Sequence, residues 1–169
     1  MAFGKTEVII RAVFLAAKSK IQSLVLVPTT LLSRQHFINF TKRLSSFGIV
    51  VSEISRLVPN KIKSQVISSL KNGTTDIVIG THALIQEDVI FHKIGLAVID
   101  EQHKFGVYQR MVFNYKGKRP SILVMSATPI PRTLALASYG DMDESRLTEK
   151  PIAVSYTHLR AHETLRYRV

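Results

Sequence analysis

The sequence predicts an α/β fold with a mainly parallel sheet covered by helices on both faces. Short, continuously apolar segments alternate with amphipathic stretches along most of the chain. The short segments lack the every-second-residue polarity of a half-solvated sheet, as strands buried on both faces do. Turn-forming residues separate the two kinds of segment, with Pro28, Gly48 and Asn72-Gly73 at the junctions.

Taken in order, Val8–Ser19 places apolar residues at Val8, Ala12, Leu15 and Ala16, which fits a helix. Ser23–Val27 is apolar and β-branched and stops at Pro28, so it reads as a strand running into a loop. Leu31–Phe47 is apolar at Leu31, Leu32, Phe37, Phe40 and Leu44, a helix with Gly48 as its C-terminal cap. Ile49–Ile54 is a strand, and Lys61–Lys71 an amphipathic helix closed by Asn72-Gly73. Asp76–Ile79, Leu96–Ile99 and Ile122–Met125 read as further buried strands. Phe105–Phe113 and Pro131–Tyr139 read as helices, the second with proline near its start, where the missing N–H costs nothing.

Composition narrows the function classes. The chain has 169 residues, about one domain, and 46% of them are hydrophobic. With no cysteine, disulfides, thiol nucleophiles and Cys-ligated metals are excluded. No apolar run is long enough to span a membrane, so no membrane partner is expected. The formal net charge is +11. The surplus is local: residues 1–75 hold 11 Lys and Arg against Glu7 and Glu53. A basic half points to a polyanion, nucleic acid first.

In a parallel α/β sheet, ligands bind at the carboxyl ends of the strands. Gly4-Lys5-Thr6 opens the first helix. Lys followed by Thr at a helix start is the tail of a phosphate-binding loop, in which the amine reaches phosphates and the hydroxyl ligates Mg²⁺. The tripeptide alone is equally a plain helix start. Asp100-Glu101-Gln102-His103 follows the strand Leu96–Ile99; Asp there can hold Mg²⁺ and Glu can orient a water. Together the two motifs are far more specific than either. Ser126-Ala127-Thr128-Pro129 follows another strand, and its hydroxyls suit contacts between a nucleotide site and neighbouring loops. Pro28–His36, with Thr29, Thr30 and Arg34, and Gly80–Ala83, with Thr81 and His82, also lie at strand ends. Each block is as well an ordinary helix cap as a phosphate contact.

These blocks, in this order, resemble the motifs of superfamily 2 helicases. Thr81–Gln86, Asp100–Val107 with Gln109-Arg110, Ser126–Thr133 and Tyr139–Asp143 with Leu147–Pro151 resemble RecG-type branch-migrating DNA helicases. The first third, through Phe3–Val8, Val27–Leu32 and Ser55-Arg56, looks more like the transcription-repair coupling factors, close relatives with the same motor. The resemblance covers residues 3–151. It implies a three-layer RecA-like P-loop lobe, truncated at its N-terminus, from an ATP-driven double-stranded-DNA translocase of the bacterial cytoplasm. It implies ATP and Mg²⁺ as cofactors, held by Gly4, Lys5, Thr6, Gln102 and His103, with Thr6 and Asp100 on the metal. Lys5, Asp100 and Glu101 would be catalytic. Ser126 and Thr128 would couple to Gln102 and His103, and Thr29, Thr30, Arg34, Thr81 and His82 would face DNA.

The resemblance also implies that the glycine-rich part of the phosphate loop precedes Met1 and that a second RecA-like lobe is needed in cis. The chain by itself is therefore expected to hydrolyse little ATP. RNA polymerase is an expected partner only under the coupling-factor reading. Residues 152–169 resemble translated sequencing-adapter read-through and are set aside as non-native. His158 and His162 lie there at helical spacing, without an evident third ligand. Two other readings remain: a non-catalytic basic module binding nucleic acid by charge, and a P-loop ATPase acting on protein, which the Thr81–Gln86 and Ser126–Thr133 blocks disfavour. Phe105, next to the acidic motif, is a candidate nucleotide sensor; Phe37, Phe40, Phe47 and Tyr108 read as packing.

Overall fold

The computed structural model describes residues 4–100, 120–126 and 145. Within them the chain runs α1 (Lys5–Lys18), β1 (Gln22–Leu26), α2 (Thr30–Leu44), a 3₁₀ turn (Ser45–Phe47), β2 (Val51–Ile54) and α3 (Asn60–Asn72). Then follow β3 (Ile77–Gly80), a second 3₁₀ turn (His82–Ile85), β4 (Ile94–Asp100) and β5 (Ser121–Met125). The five strands form one sheet in the order β2-β3-β1-β4-β5, and every neighbouring pair is parallel. The α/β class and parallel sheet expected from the sequence are therefore observed.

Alternation along the strands sorts their side chains onto two faces. Val25, Ile77, Ile79 and Val98 join Ile9, Ile10 and Val13 of α1 and Phe40 and Leu44 of α2 in one core layer. Leu24, Ile54, Val78 and Ala97 join Leu70 of α3 in the other. Helices α1 and α2 thus cover one face and α3 the other, which makes three layers.

Element boundaries differ from the sequence reading in instructive ways. α1 starts at Lys5 rather than Val8 because its first turn is polar and carries no apolar period. The predicted helix to Phe47 splits: α2 stops at Leu44, the last turn tightens to 3₁₀, and Gly48 ends it with φ of 70°. The strand expected from Ile49 begins at Val51. β4 extends to Asp100, so that carboxylate is the last residue of a strand rather than part of the following loop. β5 is only half-buried, where full burial was expected. The turn His82–Ile85 was not anticipated. Gly80, just before it, admits no side chain, because a Cβ there would run into the Ile54 carbonyl oxygen and the Leu84 side chain.

Candidate nucleotide and nucleic-acid site

Because all strands are parallel, the segments after β1, β2, β3, β4 and β5 share one edge of the sheet. α1 joins that edge from the other direction. Only residues 19–21 connect it to β1, so α1 runs back along the sheet and its N-terminus lies at the carboxyl edge. Gly4-Lys5-Thr6, Thr29-Thr30, Thr81-His82, Asp100 and Ser126 therefore lie along the edge where the sequence placed them. β2, the strand that follows β1, lies to one side of it, whereas β5, which follows β4, lies on the opposite side. The carboxyl ends of β1 and β4 thus flank a topological switch point, the usual ligand crevice of an open α/β sheet.

Asp100 is the acidic group at that crevice. By alternation with Leu96 and Val98 it points to the face covered by α1 and α2. It is buried, and its Oδ1 has no hydrogen-bond partner among the described residues. A buried carboxylate oxygen with an unspent lone pair is costly unless a ligand uses it. Its other oxygen, Oδ2, lies 3.4 Å from His36 Nε2, which is also buried. Lys5 brings a second charge to this face, and its amine nitrogen is buried. Gly4, with φ of 76°, caps α1 in the left-handed conformation; α1 has no side-chain cap, so the first N–H groups face no side-chain acceptor of their own cap residue.

These groups suit Mg²⁺ with a nucleotide phosphate. Among the described residues no cluster of three or more His, Asp or Glu could hold a metal by itself. Mg²⁺ does not need one, since it is commonly held by one or two carboxylates plus substrate phosphates and water. Asp100 and Thr6 would supply the protein ligands, and Lys5 with the start of α1 would meet phosphate charge.

The nucleic-acid candidates fare unequally. Thr29 is the N-cap of α2, its hydroxyl accepting from the Leu32 N–H at 3.2 Å. That hydroxyl already has a structural task. Thr30 is the first helical residue and is half-buried. Arg34 is paired: its Nη1 donates to Glu53 Oε2 at 3.2 Å. Its side chain is nevertheless 54% exposed, which leaves donors open to solvent. Thr81 is buried, and its hydroxyl has no partner among the described residues, whereas His82 is exposed. Ser126 is half-buried after β5. Glu101, Gln102, His103, Phe105, Thr128, the helices expected at 105–113 and 131–139 and the 152–169 tail lie outside the described residues.

Sequence reading missed two residues. In the sequence Glu53 shows only as a charge, yet it is a buried hub that accepts from Ser33 Oγ at 3.1 Å, Ser55 Oγ at 3.0 Å and Arg34. His36 was only the end of a block, yet it faces Asp100. An acidic residue inside an apolar strand was the one available signal for Glu53. For His36 the signal was its place on the buried stripe of α2 with Ser33, Phe40 and Leu44.

Residues 1–137 match the family described as DEAD/DEAH box helicase. The chain is 47% identical over 148 residues to the ATP-dependent DNA helicase RecG of Thermotoga maritima, covering 88% of this chain and 19% of that protein. It is 46% identical over 151 residues to the transcription-repair-coupling factor of Haemophilus influenzae, covering 89% of this chain and 13% of that protein. Among solved structures, RecG bound to a three-way DNA junction matches with a TM-score of 0.69 and 44% identity, over 82% of this chain and 18% of that one. The chain thus spans about a fifth or less of the length of these relatives.

Proposed function

Since the chain belongs to the DEAD/DEAH box helicase family, we propose that it is the nucleotide-binding lobe of an ATP-dependent DNA helicase or translocase that acts on branched duplex DNA. One observation carries the reading: a buried carboxylate with an unspent oxygen, Asp100, ends β4 on the face that also carries Gly4-Lys5-Thr6. A phosphate-bound Mg²⁺ satisfies that oxygen, and the Gly4-Lys5-Thr6 helix start on the same face favours it over a lone water. The RecG relatives support ATP and DNA as the ligands.

The chemistry follows from phosphoryl transfer, where positioning and charge stabilisation do most of the work. Lys5 and the α1 N-terminus neutralise phosphate oxygens. Thr6 and Asp100 hold Mg²⁺, which when bound offsets charge on the transferring phosphate. Glu101 orients the attacking water, and Gln102 and His103 pass the state of the site to Ser126 and Thr128. Thr29, Thr30, Arg34, Thr81 and His82 form the nucleic-acid side, with Arg34 the strongest single phosphate donor. A second RecA-like lobe in cis completes the cleft, so residues 1–151 alone turn over little ATP.

The comparable identity to a transcription-repair-coupling factor supports a second reading, in which the same lobe drives a translocase that pushes RNA polymerase. Fork DNA separates these readings. The full-length protein, meaning this lobe joined to the proposed second RecA-like lobe, should convert a three-way junction to its products only with hydrolysable ATP and Mg²⁺. ATP-dependent displacement of a stalled RNA polymerase without junction processing would favour the coupling-factor reading. Salt-sensitive DNA binding indifferent to nucleotide would reduce the chain to a basic module.

A further inference from the structure

α2 rests on two buried carboxylates that belong to different strands. Near its start, Ser33 and Arg34 hold Glu53 of β2. One turn further, His36 faces Asp100 of β4, and β3 and β1 lie between those two strands. The His36 ring is fixed, 5.5 Å from Phe40 in an edge-to-face arrangement, and Phe40 is fully buried. Nε2 stands at ion-pair distance from Asp100 Oδ2, but without the alignment of a hydrogen bond. A buried imidazole nitrogen left in that condition is costly as mere packing, whereas a small shift of α2 would align it.

We propose that His36 is a positioning residue for Asp100: it ties the nucleic-acid end of α2 to the carboxylate that would hold Mg²⁺. DNA contacting the Thr29–Arg34 end of α2 shifts the helix, His36 follows because Phe40 locks its ring, and Asp100 is aligned or released. Coupling of this kind needs a contiguous element whose position both sites bias, and α2 is that element. The inference rests on the proposed function above.

The test uses the full-length protein and a fluorescent ADP analogue, and reads the Mg²⁺ concentration for half-maximal nucleotide binding with and without duplex DNA. H36F keeps the ring against Phe40 and removes the N–H; H36Q keeps a donor at a similar reach. H36F should melt like the wild type yet need about tenfold more Mg²⁺, the usual size of an outer-shell loss. DNA should no longer shift its Mg²⁺ requirement, and H36Q should recover most of both effects. An H36F protein with wild-type Mg²⁺ and DNA dependence overturns the proposal, as does equal impairment of H36F and H36Q. A wild type without Mg²⁺-dependent nucleotide binding overturns the proposed function and this inference together, which separates the two failures.

Discussion

Arg34 and Glu53 hold each other across the junction of α2 and β2, Nη1 to Oε2 at 3.2 Å, with the carboxylate buried and the guanidinium half in solvent. The same carboxylate accepts from Ser33 and Ser55, so one charge fastens the helix start, the strand end and the loop after it. The substitution Glu53→Ala should therefore cost about 2–3 kcal/mol, because it strands two buried hydroxyls as well as the arginine. Chemical denaturation should show it as a lower midpoint with an unchanged slope. A cost within about 0.5 kcal/mol, the range of ordinary surface changes, would mean the hub is ornamental.

Arg34→Ala separates structure from binding. Glu53 keeps its two hydroxyl donors in this variant, so the fold should lose less than with Glu53→Ala. If Arg34 meets a DNA phosphate, the slope of log affinity against log salt should fall by about 1. An unchanged slope would remove Arg34 from the interface and leave it as a strut for Glu53.

Acid stability should report the bridge between the two helices on one face. Glu7 of α1 accepts from Arg43 of α2 at 2.7 Å and from Arg11 at 3.0 Å. The Arg43 bond, then that of Arg11, holds its carboxyl well below the usual range, at about 2 against 4.5. A carboxyl depressed in the folded state stabilises fully above its unfolded pKa, and the gain disappears as pH falls through the folded value. The difference in denaturation midpoint between wild type and Glu7→Gln should thus be constant above about 4.5 and vanish toward 2. Added salt should shrink it at every pH, since these groups are exposed. A difference at pH 2 as large as that above 4.5 would place its origin elsewhere.

Much of this structure was legible in the sequence, and the illegible remainder shares one cause. β1, β3 and β4 announced themselves because strands buried on both faces must be apolar throughout, and Gly48 and Gly73 marked real left-handed caps at φ of 70° and 76°. Pattern reading failed where a polar residue is buried by a partner far along the chain. Gln22, being polar, falls outside the apolar run Ser23–Val27, yet it is the first residue of β1. Its amide in fact bonds the Leu70 and Thr75 carbonyls at 3.0 and 2.8 Å and the Lys93 N–H at 2.9 Å, stitching β1 to α3 and to the segments that lead into β3 and β4. Glu53 and His36 were overlooked for the same reason, since their partners sit on other elements. At the candidate site, Lys5 and Asp100 stand out in the sequence because a Gly-Lys-Thr helix start and an acidic strand end are local patterns. The link between α2 and Asp100 does not, because it exists only once the fold brings the carboxyl end of β4 up to His36.

The most direct measurement is ATP hydrolysis by the full-length protein, with and without duplex DNA, for the wild type and for Lys5→Ala. The wild type should show Mg²⁺-dependent hydrolysis stimulated by DNA. Lys5→Ala should lower the stimulated rate about 100-fold or more while leaving the fold intact, because the charge facing the phosphates is gone. A Lys5→Ala protein that hydrolyses ATP as the wild type does, or a wild type that binds DNA without hydrolysing ATP, would contradict the account.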